Sequence, residues 1–391
     1  MKKTISILGS TGSIGLTTLS IIKKKNRYFI PYIFSANKNF SLICKQIKYF
    51  KPKYFIISDE NIFLKARKKF KKNKTQILNN FKNLPKTKSD VTISAIPGLV
   101  GLSPTISMTK LSKKILIANK ESIVCGWYLI LKTAKKNKTK ILSIDSELFS
   151  INEILKNTEL NNIKKIFITA SGGPFLNYKL SKFKNITPKQ AIKHPKWKMG
   201  RKISIDSATL MNKMFEVIET KKLFNIPDNK IDILIHPESL IHALVQFNNG
   251  LTKLIYHETS MIIPIANAIF DEKIYIKDFL IKENKFIHQS SKKNLFFKTV
   301  DHKKFPIIKI KKKIDLLPSS SIIINACNEI LVDQFLRGNI PFLAISKTIM
   351  TILKHRNYKE FAIKKPNHLQ IIYKIDKWTR NVTNELLKKY K

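Results

Sequence analysis

The stretch Thr4-Ile-Ser-Ile-Leu8-Gly9-Ser-Thr-Gly12-Ser-Ile-Gly15 decides the fold. Residues 4 to 8 read as a short buried strand, and Leu16, Leu19, Ile21 and Ile22 mark an apolar helix after the glycines. A glycine turn between strand and helix lets backbone amides approach a pyrophosphate at the helix N-terminus. The spacing departs from the strict G-x-G-x-x-G fingerprint, and no Lys follows the last glycine as in a P-loop. An ordinary tight turn is the alternative; the flanking strand and helix favour a nucleotide.

Working outward, a second strand covers Ile30 to Phe34, and further strands are expected at 54–58, 91–96, 115–118 and 141–144 with helical segments between. Strand and helix in alternation predict a parallel, doubly wound sheet. Ser35, Asn37, Lys38 and Asn39 stand at the end of the second strand, where an NAD site would place an acidic residue. A cation and neutral donors suit a 2′-phosphate, so NADPH is preferred to NADH. Strands are expected at 165–169, 231–235 and 243–247, and a helix near 261–270. Residues 172 to 204 are rich in Pro, Lys and Gly, which suits a mobile lid. Asp206 or Ser207 is placed to cap a helix running to about Phe224. Residues 275 to 315 read as a Lys-rich linker, and the pattern after Pro318 is helical. No internal repeat is present.

The 391 residues suffice for two or three domains. A net charge of +47 suggests nucleic acid or an anionic membrane. Only six of the 73 basic residues are Arg, however, and Lys is spread along the chain with abundant Ile and Asn. Codon bias toward A and T accounts for that composition, and no nucleic-acid-binding signature stands beside it; neither nucleic acid nor membrane is expected as a partner. Cys44, Cys125 and Cys327 form no C-x-x-C pair, so free thiols in a reducing cytoplasm are expected. Met1-Lys-Lys before Ile5–Leu8 is too short an apolar run for a signal peptide. No apolar stretch reaches the length of a membrane span.

The window His194-Pro-Lys-Trp-Lys-Met-Gly-Arg-Lys-Ile-Ser-Ile-Asp-Ser-Ala-Thr-Leu-Met-Asn-Lys-Met-Phe-Glu216 is the richest in chemistry. Asn212 and Glu216 are four apart and Lys213 and Glu216 three apart, so they can share a helix face. With Ser207 and a helix N-terminus they suit a phosphate or polyol; a solvated polar stripe is the plain alternative. His194 and Trp197 fit a flap over substrate. Asp145-Ser146-Glu147 follows a strand, and alternate residues of an extended segment face one way, so both carboxylates could grip a hard cation, Mg²⁺ or Mn²⁺. Glu216 offers a third. His236, His242 and His257 lack ligand spacing and read as structural.

Together these pieces resemble the 1-deoxy-D-xylulose 5-phosphate reductoisomerase family from residue 4 to about 345. Gly9–Gly15, Ala118-Asn-Lys-Glu-Ser122, Asp145-Ser-Glu147, Ser171-Gly-Gly-Pro-Phe175, the 194–213 window and Asn325-Ala-Cys-Asn-Glu329 carry the resemblance. It implies an α/β protein with a Rossmann-like NADPH domain (1–145), a central catalytic domain (146–272, lid about 172–204), a linker (273–315) and a C-terminal helical bundle (316–391). It implies a cytoplasmic homodimer that rearranges and reduces a sugar phosphate with NADPH and Mg²⁺ or Mn²⁺. Thr11, Gly12, Ser13, Ile14, Asn37, Lys38, Asn39, Asn119, Glu121 and Gly200 would hold NADPH. Lys120, Ser146, Glu147, Ser171, His194, Trp197, Ser207, Asn212, Lys213 and Glu216 would hold substrate, with Lys120, Glu147 and His194 closest to the chemistry. Asp145, Glu147 and Glu216 would ligate the metal, and Trp197 and Met199 would belong to the flap.

The chain departs from the family pattern at Leu148 and Phe149, where a His usually follows the acidic pair. A glycine becomes Asn37, and Pro-Asp-Met-Arg becomes Thr259-Ser-Met-Ile262. The first change removes a polar group expected near the metal; the last removes two charges from a turn. Another NADPH-dependent oxidoreductase, of the semialdehyde or homoserine dehydrogenase kind, would instead need a catalytic Cys or Lys and no metal. A basic nucleic-acid-binding protein would need Lys concentrated on one face.

Overall fold

The computed structural model describes residues 2–82, 84–197, 199–279, 294–314 and 317–390. The described residues fall into two compact units. The first draws on Met1–Ser122, Leu129–Asp145 and Ser260–Lys293, and the second on Ile123–Tyr128, Ser146–Thr259 and Asn294–Lys391.

The first unit is a parallel sheet. Its strands are β1 (Lys3–Leu8), β2 (Phe29–Ala36), β3 (Tyr54–Ile57), β4 (Gln76–Leu78), β5 (Ser89–Ser94), β6 (Ser112–Ile117) and β7 (Lys140–Ser143), in the order β4-β3-β2-β1-β5-β6-β7. Ile5, Ile7, Phe34, Phe55, Val91, Ile93 and Leu116 are buried, as near-continuous apolar strands covered on both faces must be. The chain order reverses between β1 and β5, and the Gly9–Gly15 turn leaves β1 at that switch point, where doubly wound sheets bind ligands. The expected doubly wound class is thus observed. The three-residue β4 was not expected, being too short for its period to register.

The helix Ile262–Phe270 packs into this unit. Ile265, Ala266, Ala268 and Ile269 join the core of Ile21, Ile22 and Phe29. The expected central segment ran to 272, so contacts draw this boundary at Ser260 instead. Lys114 fastens the helix end, its Nζ donating to Ala268 O and Asp271 Oδ1 at 2.7 Å each.

The second unit holds a mixed sheet, β11-β10-β8-β9-β12, from β8 (Ile163–Ala170), β9 (Ile231–Ile235), β10 (Ile241–Phe247), β11 (Thr252–Tyr256) and β12 (Lys298–Thr299). Only β8 and β9 run parallel. Helices Ser320–Leu336, Phe342–Ile352, Tyr358–Ala362 and Leu369–Leu387 form the expected C-terminal helical region. Arg380 ties two of them together, bonding Asp376 at 2.6 Å and also Glu329.

Two expectations are corrected here. Residues 280–293, 315 and 316 lie outside the described residues, but what is described of 273–315 is packed rather than a bare linker. β12 pairs with β9, and Pro306–Lys313 forms a 3₁₀ helix that buries Ile307, Ile308 and Ile310. Likewise 172–204 is not one open loop: Phe175 and Phe183 are buried against Phe342, and Thr187 and Gln190 form a capping box for the short helix Pro188–Ala191. Residues 192–197, 199 and 200 carry no helix or strand, and residue 198 lies outside the described residues.

Candidate active site

In the first unit the turn after β1 is held from behind. Gly9 N and Ser10 N donate to Ser35 O at 3.1 and 2.8 Å, and Ser10 Oγ donates to the buried Gln46 Oε1 at 2.6 Å. Gly9 has φ +80°, and a Cβ there would lie 2.7 Å from Ala95 O. At Gly15 a Cβ would meet Gly9 O at 2.4 Å, so helix and turn touch backbone to backbone. The helix Ser13–Lys24 starts without a side-chain cap and without an acidic residue in its first turn. Its opening amides suit an anion. Thr11, Gly12, Ser13 and Ile14 line this turn, and Gly12 and Ser13 are exposed.

Asn37, Lys38 and Asn39 are exposed at the end of β2. Asn39 has a structural duty as well: its Oδ1 caps the helix Phe40–Phe50 by accepting from Leu42 N at 3.1 Å. Asn119 is committed further. Its Oδ1 accepts from Ser122 N at 2.6 Å, and its Nδ2 donates to Gly98 O at 3.0 Å and to Ile96 O. It braces two loops, and Gly101 makes room, since a Cβ there would lie 2.5 Å from that Nδ2. Sequence reading missed Gln46 and Gly101, because their partners are far away in the chain. Glu121 is buried, and Lys120 Nζ pairs with Asp145 Oδ2 at 3.2 Å.

In the second unit the helix Ser146–Leu155 begins directly after Asp145. Glu147 therefore sits in a helical first turn, not in the extended segment expected for Asp145-Ser-Glu147. The carboxylates still converge: Asp145, joined by a peptide bond to this helix, offers an oxygen within 4.8 Å of those from Glu147 and Glu216. Oxygen-only donors at this spacing fit a hard divalent ion such as Mg²⁺ or Mn²⁺. Lys213 Nζ donates to Glu216 Oε2 at 2.6 Å and to Glu147 Oε1, and Asn212 Nδ2 donates to Glu216 Oε1. Ser146 Oγ donates to Glu147 Oε2. Glu216 is 0% exposed, so these bonds offset an effective desolvation penalty on the order of several kcal/mol per ion.

A backbone break positions this cluster. Asp206 and Ser207 are not N-caps as expected; they lie inside the helix Arg201–Thr209, which Gly200 caps. Leu210 then takes φ +63°, a region costly for a non-glycine side chain, and a new helix, Met211–Phe224, begins. That restart places Asn212 and Lys213 in an uncapped first turn.

Beside it, Ser171 Oγ and His194 Nε2 are 2.9 Å apart, and Gly173 N donates to Ser171 Oγ at 3.1 Å. His194 Nδ1 accepts from Lys196 N at 3.1 Å and Trp197 N at 2.9 Å, so the neutral ring carries its proton on Nε2. Burial, then the Lys213 cation, lowers its pKa to about 4, with Glu147 opposing. Trp197 rests edge-on against His242 at 6.0 Å, and His242 stacks on His257 at 3.9 Å. Gly173, with φ +66°, backs onto Ser207, whose carbonyl a Cβ would approach at 3.0 Å.

The departures are absorbed locally. Leu148 is fully buried and Phe149 lies 6.3 Å from the His257 ring, so both are core residues of their helix. Ser260 Oγ accepts from Ile262 N at 3.3 Å at the start of its helix, and Met261 and Ile262 pack on the first unit's core. Cys44, Cys125 and Cys327 are buried thiols; burial pushes Cys327 up to about 12, which makes it a poor nucleophile.

Comparison with known proteins gives the family. Family models of 1-deoxy-D-xylulose 5-phosphate reductoisomerase match residues 5–126, its C-terminal domain 141–224, and the DXP reductoisomerase C-terminal domain 257–382. The 1-deoxy-D-xylulose 5-phosphate reductoisomerase of Pelagibacter ubique is 46% identical over 96% of this chain and 97% of its own. That of Buchnera aphidicola from Schizaphis graminum is 39% identical over 97% of each. A crystal structure of DOX-P reductoisomerase in complex with NADPH, fosmidomycin and magnesium superposes with a TM-score of 0.91 at 30% identity, over 99% of this chain and 98% of that one. The Zymomonas mobilis enzyme in complex with NADPH gives 0.88 at 29%, over 99% of both. The chain belongs to the 1-deoxy-D-xylulose 5-phosphate reductoisomerase family.

Proposed function

We infer that this chain rearranges 1-deoxy-D-xylulose 5-phosphate and reduces it to 2-C-methyl-D-erythritol 4-phosphate, consuming NADPH and a proton, in the non-mevalonate isoprenoid pathway. The observation that carries this reading is the oxygen-donor set of Asp145, Glu147 and Glu216 beside the Ser171–His194 pair and Lys213. When bound, NADPH supplies the hydride and the divalent ion supplies Lewis-acid stabilisation of oxygens that gain negative charge.

The chain's own groups do the rest. Ser171, His194, Ser207, Asn212 and Lys213 hold the substrate phosphate, with His194 donating from Nε2 without adding charge. Binding energy at this remote group orients the reacting carbons. Lys120, Ser146 and Glu147 hold the oxygens at the other end, and Trp197 and Met199 close over them. Thr11 to Ile14 receive the cofactor pyrophosphate, Asn37, Lys38 and Asn39 its adenosine end, and Asn119, Glu121 and Gly200 complete its site. Asp145, Glu147 and Glu216 hold the metal, for which Mn²⁺ serves as well as Mg²⁺.

The reading extends to a cytoplasmic homodimer; no helix among the described residues is long and apolar enough to cross a membrane. Sedimentation should give twice the 45.2 kDa chain mass. The deciding assay follows NADPH absorbance with this substrate and Mn²⁺ or Mg²⁺. Oxidation that needs both substrate and metal and stops with EDTA is expected; metal-independent oxidation would overturn the reading.

A further inference from the structure

Asn325-Ala-Cys-Asn-Glu329 lies on the helix Ser320–Leu336, in the C-terminal part of the second unit, and the function above uses none of it. Asn328 is fully buried, and its Nδ2 donates to Asp206 Oδ1 at 2.7 Å. The amide orientation is fixed, because a carboxylate only accepts. The other carboxylate oxygen, Oδ2, pairs with Lys202 Nζ at 2.8 Å, one helical turn earlier. Asp206 is 1% exposed, so each of its oxygens needs the partner it has.

Asp206 immediately precedes Ser207 in the helix Arg201–Thr209. Gly173 packs against the same turn, too close to Ser207 O to admit a side chain without movement. Its amide donates to Ser171 Oγ, which meets His194. The last turn of this helix therefore meets two supports, and Leu210 breaks the chain directly after it.

We propose that Asn328 is a positioning residue for the phosphate-binding side chains, acting through Asp206 to fix Ser207 and the break that presents Asn212 and Lys213. This rests on the phosphate role given to those residues above. Replacing Asn328 by Leu keeps the branching at Cγ but adds bulk and strips Asp206 Oδ1 of its donor, letting the carboxylate turn toward Lys202, which is partly exposed. The helix end then loses its anchor while the nucleotide turn is untouched.

The test is steady-state kinetics of Asn328→Leu, with Asn328→Ser as a milder lesion should the first not fold. KM for the sugar phosphate should rise about tenfold, with kcat changed less than about threefold and KM for NADPH unchanged, the pattern of lost uniform binding at one ligand. The exchange variant Asn328→Asp with Asp206→Asn restores a donor–acceptor pair and should recover the substrate KM. A second readout needs no turnover: inorganic phosphate should raise the melting temperature of the wild type and do so less in Asn328→Ser. An unchanged substrate KM, KM values for both ligands rising together, or a folded exchange variant that stays impaired would overturn the proposal, as would absence of the phosphate effect in the wild type. A wild type that responds to phosphate but does not turn over would strike the proposed function alone.

Discussion

The two regions proposed to take anions are built in opposite ways. After β1 the cradle is main chain, with Gly9 and Gly15 admitting no Cβ and helix amides without a side-chain cap. In the second unit the work falls to side chains: Lys213, Asn212, Glu147 and Glu216 bind one another, and Ser171 and His194 stand beside them. A main-chain cradle is set by steric exclusion and tolerates almost any neighbour that leaves room. A side-chain cluster is set by charge balance, so removing one member exposes the others. The first region should fail through crowding and the second through loss of a partner.

The largest effect is expected at Glu216. Gln preserves its shape and one oxygen, but the negative charge that the proposed metal site and Lys213 need is lost. Substitution to Gln should lower kcat by about a thousandfold or more, the scale expected when a metal's contribution is removed. Far-UV circular dichroism should be unchanged. Turnover within tenfold of wild type would show that the ion does not depend on this carboxylate.

Crowding of the main-chain cradle should come next. Gly15→Ala puts a methyl 2.4 Å from Gly9 O and 2.6 Å from Ser10 Cα, both backbone atoms that cannot step aside. Overpacking of this kind costs about 1–3 kcal/mol, so NADPH affinity measured by fluorescence titration should fall roughly ten- to a hundredfold. An NADPH affinity within about threefold of wild type would remove the steric account of the turn.

This contrast also explains what could be read from the sequence. The β1 turn was legible because glycine spacing, a flanking apolar strand and a helix are all local signals, and the alternation of elements gave the parallel sheet. The second site was legible as a list of residue types, with its geometry hidden. Ser207 looked like a helix cap because nothing local announces the break at Leu210, a residue with no propensity for positive φ. Asp145 and Glu147 converge through a helix start rather than a strand end. The anchoring of Asp206 by Asn328 spans residues far apart in sequence, and β12, two residues long, has no period to detect.

The smallest effect separates the regions by pH. The Gly9–Gly15 turn contains no titratable side chain, whereas the second cluster includes His194. Two backbone N–H groups donate to its Nδ1, so a proton there would break both bonds. Burial and then Lys213 lower its pKa from 6.5 to about 4, against the pull of Glu147. Between these values the unfolded chain takes up a proton that the folded ring refuses. The stability linked to the neutral ring is complete above pH 6.5 and declines as pH falls from 6.5 through about 4. Melting temperature measured across that window should fall more steeply for wild type than for His194→Asn, with the two profiles parallel above pH 7. Nuclear magnetic resonance of the ligand-free protein should show the Nε2–H tautomer at neutral pH and a midpoint near 4. A midpoint at 6.5 would mean that the ring is solvated and the Ser171 contact is not maintained, leaving the phosphate side of the cluster without its neutral donor.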